Sequence, residues 1–126
     1  MIKHKIKKKI QHKSKEHRQR ALWAAKQAEK VLTYFEEKYP DDKRPRKAIE
    51  SARAWAKGKI GIQDARKAAW RAHAAARKAK VKNPAACHAA RAAAQAAATC
   101  HVYTHADAVP YYIEKCRKSN RDLNAV

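Results

Sequence analysis

The apolar residues of this chain recur at intervals of three and four positions, which is the spacing that lines one face of an α-helix. The first such stripe, over 21–35, predicts a helix that begins at Ser14 as its N-cap. This helix should end near Tyr39, because Pro40 cannot continue it. The first part of the chain therefore predicts one long helix.

Two further stripes predict a second and a third helix. The second covers roughly 45–57, with Asp42 as a plausible N-cap and Pro45 in its first turn. Gly58 is well placed to end it in a left-handed conformation. The third begins at Gly61 or Gln63 and runs to about residue 80, with alanines on one face and arginines and lysines over much of the remainder.

Alanine dominates the chain from the third helix onward, and it supplies 18 of the 34 residues from Ala65 to Ala98. Alanine has the highest intrinsic helix propensity, and its methyl side chain lets two helix backbones approach closely. Asn83 followed by Pro84 is a strong helix start. We therefore expect a fourth helix from this point to about His101, packed tightly against the third.

A fifth helix is predicted near the end of the chain. Residues 104–107 have the spacing of a capping box, and Pro110 should kink the helix or delay its start. The polar residues after Cys116 should fray, and 119–126 form the C-terminal tail. The sequence thus predicts an all-α fold, a compact bundle of four to five helices with alanine-rich close packing. This single domain covers 14–118 and follows a basic N-terminal arm over 1–13.

The charge of the chain favours a polyanion such as RNA or DNA as a partner, because 31 Lys+Arg stand against 11 Asp+Glu, a net charge of +20. In the arm, Ile2, Ile6 and Ile10 would line one side of a marginal helix that orders on a polyanion. A solvated tail and a solvated helix face remain open as alternatives. The residues expected to contact a partner or polyanion are Lys3, Lys5, Lys7, Lys8, Lys9, Lys13, Arg66, Lys67, Arg71, Arg77 and Lys78.

Three cysteines, an odd number without the spacing of a disulfide framework, favour a reducing cytoplasm. The charged N-terminus is not followed by the apolar core of a signal peptide, and no strongly apolar run could span a bilayer. We therefore expect a soluble, cytoplasmic protein that is monomeric or weakly dimeric and does not bind membranes.

His101 and His105 are the most suggestive candidates for chemistry. Two histidines at positions i and i+4 of a helix could share a metal ion, with Cys100 or Cys116 as a third ligand. A predicted helix break near Thr104 would separate them, so we expect structural roles at a helix junction. No serine–histidine–acid set, phosphate loop or carboxylate pair stands out. We therefore expect no enzyme, no catalytic residue, no metal, no cofactor and no small-molecule substrate.

Three tryptophans, Trp23, Trp55 and Trp70, could stack on nucleic-acid bases. Each of them falls on or beside an apolar helical stripe, so core packing is the favoured interpretation for all three. Tyr103, Tyr111 and Tyr112 could pack in the core or form an exposed apolar patch.

Several segments between residues 17 and 116 resemble a known family. The most specific of them are YPDDKRPRKAIE at 39–50, ARAW at 52–55 and HVYTH at 101–105. They resemble the Imm-five-like family of immunity proteins, predicted helical partners of bacterial polymorphic toxins. The resemblance implies an all-α fold and a cytoplasmic, non-catalytic protein that binds a macromolecular partner such as a toxin.

The resemblance also marks individual residues, several of which we expect to form a buried network of ion pairs and histidines that fixes the helices. The marked residues are Asp41, Asp42, Arg44, Arg46, Glu50, Arg53, His73, His101 and His105. The charge supports an alternative function, a basic protein that binds RNA or DNA, for example as a ribonucleoprotein subunit. In that case the lysine-rich arm and the Arg/Lys face of the third helix would contact the nucleic acid.

Overall fold

In the computed structural model, which describes the backbone of residues 2–124 and the side chains of 15–124, the chain folds into helices joined by short turns. No strand occurs within residues 2–124, which confirms the predicted all-α class. The six α-helices are α1 (Ile2–Glu29), α2 (Leu32–Glu36), α3 (Arg44–Ala56), α4 (Ile62–Ala79), α5 (Pro84–Ala98) and α6 (Ala108–Asn124). A short 3₁₀ helix, Tyr103–Asp107, lies between α5 and α6.

Helix α5 lies at the centre of the bundle and packs against all five other α-helices. Nine of its 15 residues are buried, and all of these except Cys87 are alanines. A helix that is surrounded by others must be apolar on all sides, and alanine meets that condition while keeping the neighbouring backbones close. The close packing predicted between the third and fourth helices is the contact between α4 and α5, the most extensive in the described bundle.

A few larger side chains complete the core. Val31, Phe35, Ile49 and Val109 are among the largest apolar side chains that are almost completely buried, and Trp55 is only 6% exposed. Each buried side chain of this size contributes roughly 1.5–3 kcal/mol to stability. The bundle therefore depends on a handful of large residues in addition to the backbones that alanine brings together.

Helix α3 ends in a turn that glycine adopts without strain. Gly58 has a φ of +75°. The N–H of Lys59 donates to the carbonyl of Ala54 at 2.8 Å, and the N–H of Gly58 donates to the carbonyl of Trp55 at 2.9 Å. These two hydrogen bonds form a Schellman motif, so the left-handed termination predicted from the sequence is confirmed.

The first helix differs from the prediction at both ends. Helix α1 begins at Ile2 and runs through Ser14, so the prediction of an N-cap at Ser14 is wrong. Residues 2–29 contain no glycine or proline, which allows the helix to extend into the basic arm. At its C-terminal end the chain breaks at Lys30 and Val31, whose N–H groups donate to carbonyls three residues back. Helix α2 then follows as a separate short element.

The start of the last helix agrees with the prediction only in part. Residues 103–107 form the 3₁₀ helix, whose N-cap position is Val102, and no capping side chain bonds to it. Helix α6 begins at Ala108, which places Pro110 in its first turn. The expected delay at Pro110 is therefore confirmed, whereas the predicted capping box at Thr104 does not form.

The C-terminal tail is helical where the structure describes it. Helix α6 continues to Asn124, so the expected fraying is wrong up to that residue, and the last two residues lie outside the described part. Ser119 and Asn120 are half-buried and line a cleft together with Tyr34 of α2. Ala85 and Ala86 of α5 line the same cleft, and α6 packs extensively against α5. This contact explains why a polar segment without an apolar stripe keeps its helical conformation.

Replacing Gly58 by alanine tests the turn at the end of α3. No atom lies within 4 Å of the added Cβ, so backbone strain at a positive φ is the main effect. We expect the free energy of unfolding, measured by urea denaturation, to fall by about 1–2 kcal/mol.

Gly61→Ala is the matched control for this variant. Gly61 has a φ of −87°, and its added Cβ also meets no atom within 4 Å. The gain from a stiffer unfolded chain and the loss of a glycine at the N-cap of α4 oppose each other, so we expect a change below about 0.5 kcal/mol. Equal losses in the two variants would contradict the role assigned to Gly58.

Candidate binding surface

Helix α4 presents a basic face to solvent. Lys67, Arg71, Arg77 and Lys78 are exposed, and Arg66 is half-buried. The helical rotation of about 100° per residue places all five within an arc of about 140°, opposite the buried alanines of α4. The structure therefore brings these five predicted residues together. The six lysines of the N-terminal arm lie outside the residues whose side chains are described, and their role stays a prediction.

Trp70 lies in the middle of this basic face. Its side chain is 59% exposed, and the Arg66 guanidinium lies over the indole with Cζ 5.3 Å from the ring centroid. The prediction that Trp70 packs in the core is wrong, because the alanine side of α4 faces α5 and Trp70 points away from it. Trp55 is buried and Trp23 is half-buried against the core, which confirms the prediction for these two.

A groove of about 530 Å³ runs between α3 and α4, beside the basic face. Four cationic and two acidic side chains line it, so it offers hydrogen-bond donors and acceptors close together. Sequence reasoning did not group Lys47 and Asp64 with the other groove residues, because a single sequence does not reveal which helix faces pair. The charged lining residues are Arg44, Lys47, Glu50, Asp64, Lys67 and Arg71.

One ion pair orders the start of α3. The Nε and Nη2 groups of Arg44 donate to the Asp42 carboxylate at 2.9 and 2.6 Å, and the backbone N–H of Arg44 donates to Asp42 Oδ1 at 3.1 Å. The hydrogen bonds from Arg44 hold the pKa of Asp42 below its usual value. The prediction of Asp42 as the N-cap of α3 is wrong, because Lys43 occupies that position, but the Asp42 carboxylate accepts a hydrogen bond from the backbone of the first helical residue.

Two further ion pairs connect α3 to α1 and α2. Arg46 donates to Glu36 through Nε at 2.8 Å and Nη2 at 2.5 Å, and Arg53 pairs with Glu29. In each pair the hydrogen bond from arginine lowers the pKa of the carboxylate. The four side chains are between 20% and 49% exposed. Such surface pairs contribute about 0–1 kcal/mol each.

The family-marked charges are therefore at the surface and do not form the buried ion-pair network that we expected. Asp42 and Arg44 are themselves 23% and 30% exposed. Asp41 and Glu50 are exposed and take part in none of the ion pairs among the described side chains. Charged groups on short helices pair at the rim of an alanine core, because that core leaves no space inside for them.

The marked histidines separate into two environments. Arg91 Nη1 donates to His73 Nδ1 at 2.6 Å, and His105 Nδ1 lies 2.7 Å from Oε1 of Gln95. Burial, followed by the charges of Arg91 and other cations, lowers the pKa of His73 to about 4, so this imidazole is neutral and accepts the hydrogen bond. His101 is exposed in the turn after α5. The sequence does not single out Arg91 and Gln95, because the pattern of α5 does not distinguish their side of the helix from the others.

Helix α1 contacts the segment that follows α5, residues 99–107, at both of its ends. His17 donates through Nε2 to the carbonyl of Thr99, and its ring meets Trp55 edge-on with 4.9 Å between the centroids. Arg20 pairs with Asp107 at the end of the 3₁₀ helix. The segment is thus a junction between helices, and its two histidines do not share the face of one helix as a zinc-binding pair would.

Among the described side chains, no group of three or more His, Cys, Asp and Glu is placed to hold a metal ion. The three cysteines are buried as free thiols, and burial raises the pKa of Cys100 to about 12 and that of Cys116 to about 11. Deeply buried thiols with raised pKa values are poor nucleophiles. No helix within the described residues is long and apolar enough to cross a membrane.

The neutral state of His73 predicts a dependence of stability on pH. Because the unfolded chain protonates this residue near its model value of 6.5 and the fold only near pH 4, the unfolded state binds more protons in between. The contribution of neutral His73 to the free energy of unfolding is complete above about pH 6.5. As the pH falls towards 4 this contribution is lost, which lowers the free energy of unfolding by roughly 1–3 kcal/mol. His73→Gln, which keeps an acceptor for Arg91, should flatten urea stability curves measured across this pH range. The control His101→Gln removes an exposed histidine, and an equal flattening there would contradict the assignment.

Comparison with known proteins adds one identification. No curated protein and no solved structure is significantly similar to the chain. The family model of the Imm-5 like putative immunity protein matches residues 11–125, nearly the whole length of the chain. All the helices, the groove between α3 and α4 and the basic face of α4 lie within or largely within this match. The chain belongs to the family of Imm-5 like putative immunity proteins.

Proposed function

We propose that this protein acts in the cytoplasm as a non-catalytic binding protein that neutralises a protein toxin by covering part of its surface. The observation that carries the proposal is the family match over residues 11–125. The proposed contact surface consists of the basic face of α4 and the adjoining groove between α3 and α4. Neutralisation by binding needs a stable, rigid surface, and the closely packed α4–α5 pair supplies one.

The composition of this surface supports a protein partner. Tryptophan and arginine are the residues that most often dominate the binding energy of protein interfaces, and here Trp70 is exposed between Arg66 and Arg71. The groove beside it adds Glu50 and Asp64 to its cations, which allows hydrogen bonding to donors and acceptors alike. Because cations outnumber acids on the contact surface, the matching patch on the toxin is acidic.

The partner for the test is the toxin encoded by a gene adjacent to that of this protein. We expect the purified proteins to bind, and co-expression to restore growth of cells that make the toxin. Trp70→Ala and Arg71→Glu should each weaken binding, and raise the dissociation constant measured by calorimetry by about tenfold or more. Arg117→Glu makes the same charge change at an exposed position of α6, and the dissociation constant should stay within about twofold of the unchanged protein's value.

Two results would count against this proposal in different ways. A toxin that is neither bound nor neutralised contradicts the function itself. Tight binding that is insensitive to Trp70→Ala and Arg71→Glu keeps the function but moves the contact surface away from α4.

A second function, binding of single-stranded RNA or DNA, is favoured by the same exposed tryptophan. An indole flanked by cations can stack on a base while arginine and lysine contact the neighbouring phosphates, as in other single-strand binders. Arg77 and Lys78 extend the row of cations along α4, and the lysines of the N-terminal arm would add further phosphate contacts. In this case the protein would be a subunit of a ribonucleoprotein.

Salt dependence separates this second function from the first. If nucleic acid is the partner, the affinity for a 20-nucleotide single strand should fall steeply as salt rises, because each neutralised phosphate releases about one counterion. Deleting residues 2–13 should reduce the slope by several units, and Trp70→Ala should weaken binding by roughly 1–3 kcal/mol. Binding that stays flat between low and physiological salt would exclude nucleic acid as the partner.

A further inference from the structure

A second cavity lies on another side of the bundle, between the end of α4, the first half of α5 and α6. Its volume is about 360 Å³, and the residues that line it are Lys80, Pro84, Cys87, His88, Arg91 and Tyr112. None of these residues belongs to the groove between α3 and α4. The lining includes two cations, an imidazole and a phenol, and no carboxylate.

The two cations at this cavity differ in their partners from the arginines that form ion pairs at the surface of the bundle. Arg20, Arg44, Arg46 and Arg53 each pair with a carboxylate. Lys80 and Arg91 take part in none of the ion pairs among the described side chains. Two positive charges are therefore held together without a compensating acid, an arrangement that attracts an anion.

Arg91 is fixed in place by a neutral group. Its Nη1 donates to His73 at 2.6 Å, and no other described hydrogen bond uses its guanidinium. A guanidinium has five N–H donors in a planar fork that matches phosphate oxygens. Because His73 is uncharged, it orients Arg91 without neutralising it. The remaining donors of Arg91 are available for a ligand in the cavity.

His88 supplies a further polar group with unused hydrogen-bonding capacity. Its Nδ1 is buried and has no hydrogen-bond partner among the described residues, which is uncommon in a folded protein. Its ring stacks on Tyr112, with 6.3 Å between the centroids. Burial, and then the charges of Lys115 and Arg91, lower the pKa of His88. A nearby anion would offset those charges.

The N-terminus of α5 adds to the positive potential. Pro84 and Cys87 belong to the first turn of this helix, where the helix dipole is positive. No side chain caps the helix and no acidic residue lies in its first turn. The side chain of Asn83, at the N-cap position, instead donates through Nδ2 to Tyr39 Oη at 2.8 Å. The first turn of α5 therefore contains no acidic residue of its own, although Glu37 and Asp122 line a neighbouring cleft together with Pro84.

We propose that the cavity between α4, α5 and α6 binds the phosphate group of a small organic phosphate, with Lys80, Arg91 and His88 as the residues that contact it. The volume is at the lower end of the range of small-molecule pockets, which leaves space beyond the phosphate for a sugar-sized group. This ligand site goes beyond the proposed function, because it does not share the surface assigned to the toxin.

The test uses calorimetry with the intact protein and three probes at constant ionic strength. The probes are inorganic phosphate, ribose 5-phosphate and ribose. We expect both phosphate-bearing probes to bind saturably with one site per chain and ribose not to bind. Tighter binding of the ester assigns the site to an organic phosphate, whereas equal affinities assign it to free phosphate and overturn the proposed space for a sugar.

Two variants near the end of α4 separate this cavity from general charge attraction. Lys80→Gln removes a lining cation, and we expect it to weaken phosphate binding about fivefold or more. Lys82→Gln makes the same change two residues later, at an exposed position outside the cavity and outside the basic face of α4, and affinity should stay within about twofold. Equal losses in the two variants, or binding that does not saturate, would overturn the site.

A readout at His88 checks the location directly. In an NMR titration of the histidine ring protons, saturating phosphate should raise the pKa of His88, since a bound dianion stabilises the protonated imidazole. The exposed His101 serves as the reference within the same spectra. An equal shift at both histidines, or none at His88, would contradict binding in this cavity.

Discussion

The close approach of helix backbones through alanine is the constraint on which the rest of this structure depends. Helix α5 is buried between five neighbours because eight of its nine buried side chains are methyl groups. Replacing an alanine there by a larger residue would push a whole helix outward, since packed interiors do not expand locally without strain. The same constraint excludes large polar groups from the interior and leads the charged residues to pair at its rim.

The pairing at the rim divides the surface into two electrostatic regions. Four of the 11 acids, Glu29, Glu36, Asp42 and Asp107, neutralise arginines on or near α1 and α3. The outer face of α4 and the cavity beside α5 keep their cations without such partners. The two proposed binding sites therefore lie where cations have no ion-pair partner among the described side chains.

The fold could be predicted from the sequence wherever a local rule acts alone. Gly58 ends α3 because of its backbone, and Asn83 with Pro84 begins α5, so these boundaries needed no tertiary information. The break at Lys30 could not be predicted, because neither glycine nor proline marks it. The helical tail up to Asn124 could not be predicted either, because it depends on the packing of α6 against α5. Local rules describe where helices are able to end, whereas tertiary contacts decide where they do.

The candidate sites were only partly visible for a related reason. The cations of α4 share one helix, so their common face follows from spacing alone. The exposure of Trp70 was missed because the apolar face of α4 consists of alanines. A tryptophan next to such a face has the position expected of a large core residue.

The position of Arg91 was missed because its hydrogen-bond partner, His73, and the other cation that lines the cavity, Lys80, come from α4 and its C-cap. Sites that one helix carries are therefore open to sequence reasoning, and sites assembled between helices are not.

The excess positive charge also connects binding to stability. Like charges repel in the compact state more than in the unfolded chain. An alanine core with few large side chains supplies only a small free energy of unfolding to offset that repulsion. An acidic partner or a bound phosphate would remove part of the repulsion and would bind only the folded state. Binding must then raise stability by an amount set by ligand concentration relative to the dissociation constant. A basic surface on a small alanine-packed bundle is thus most stable when its cations are in contact with a partner.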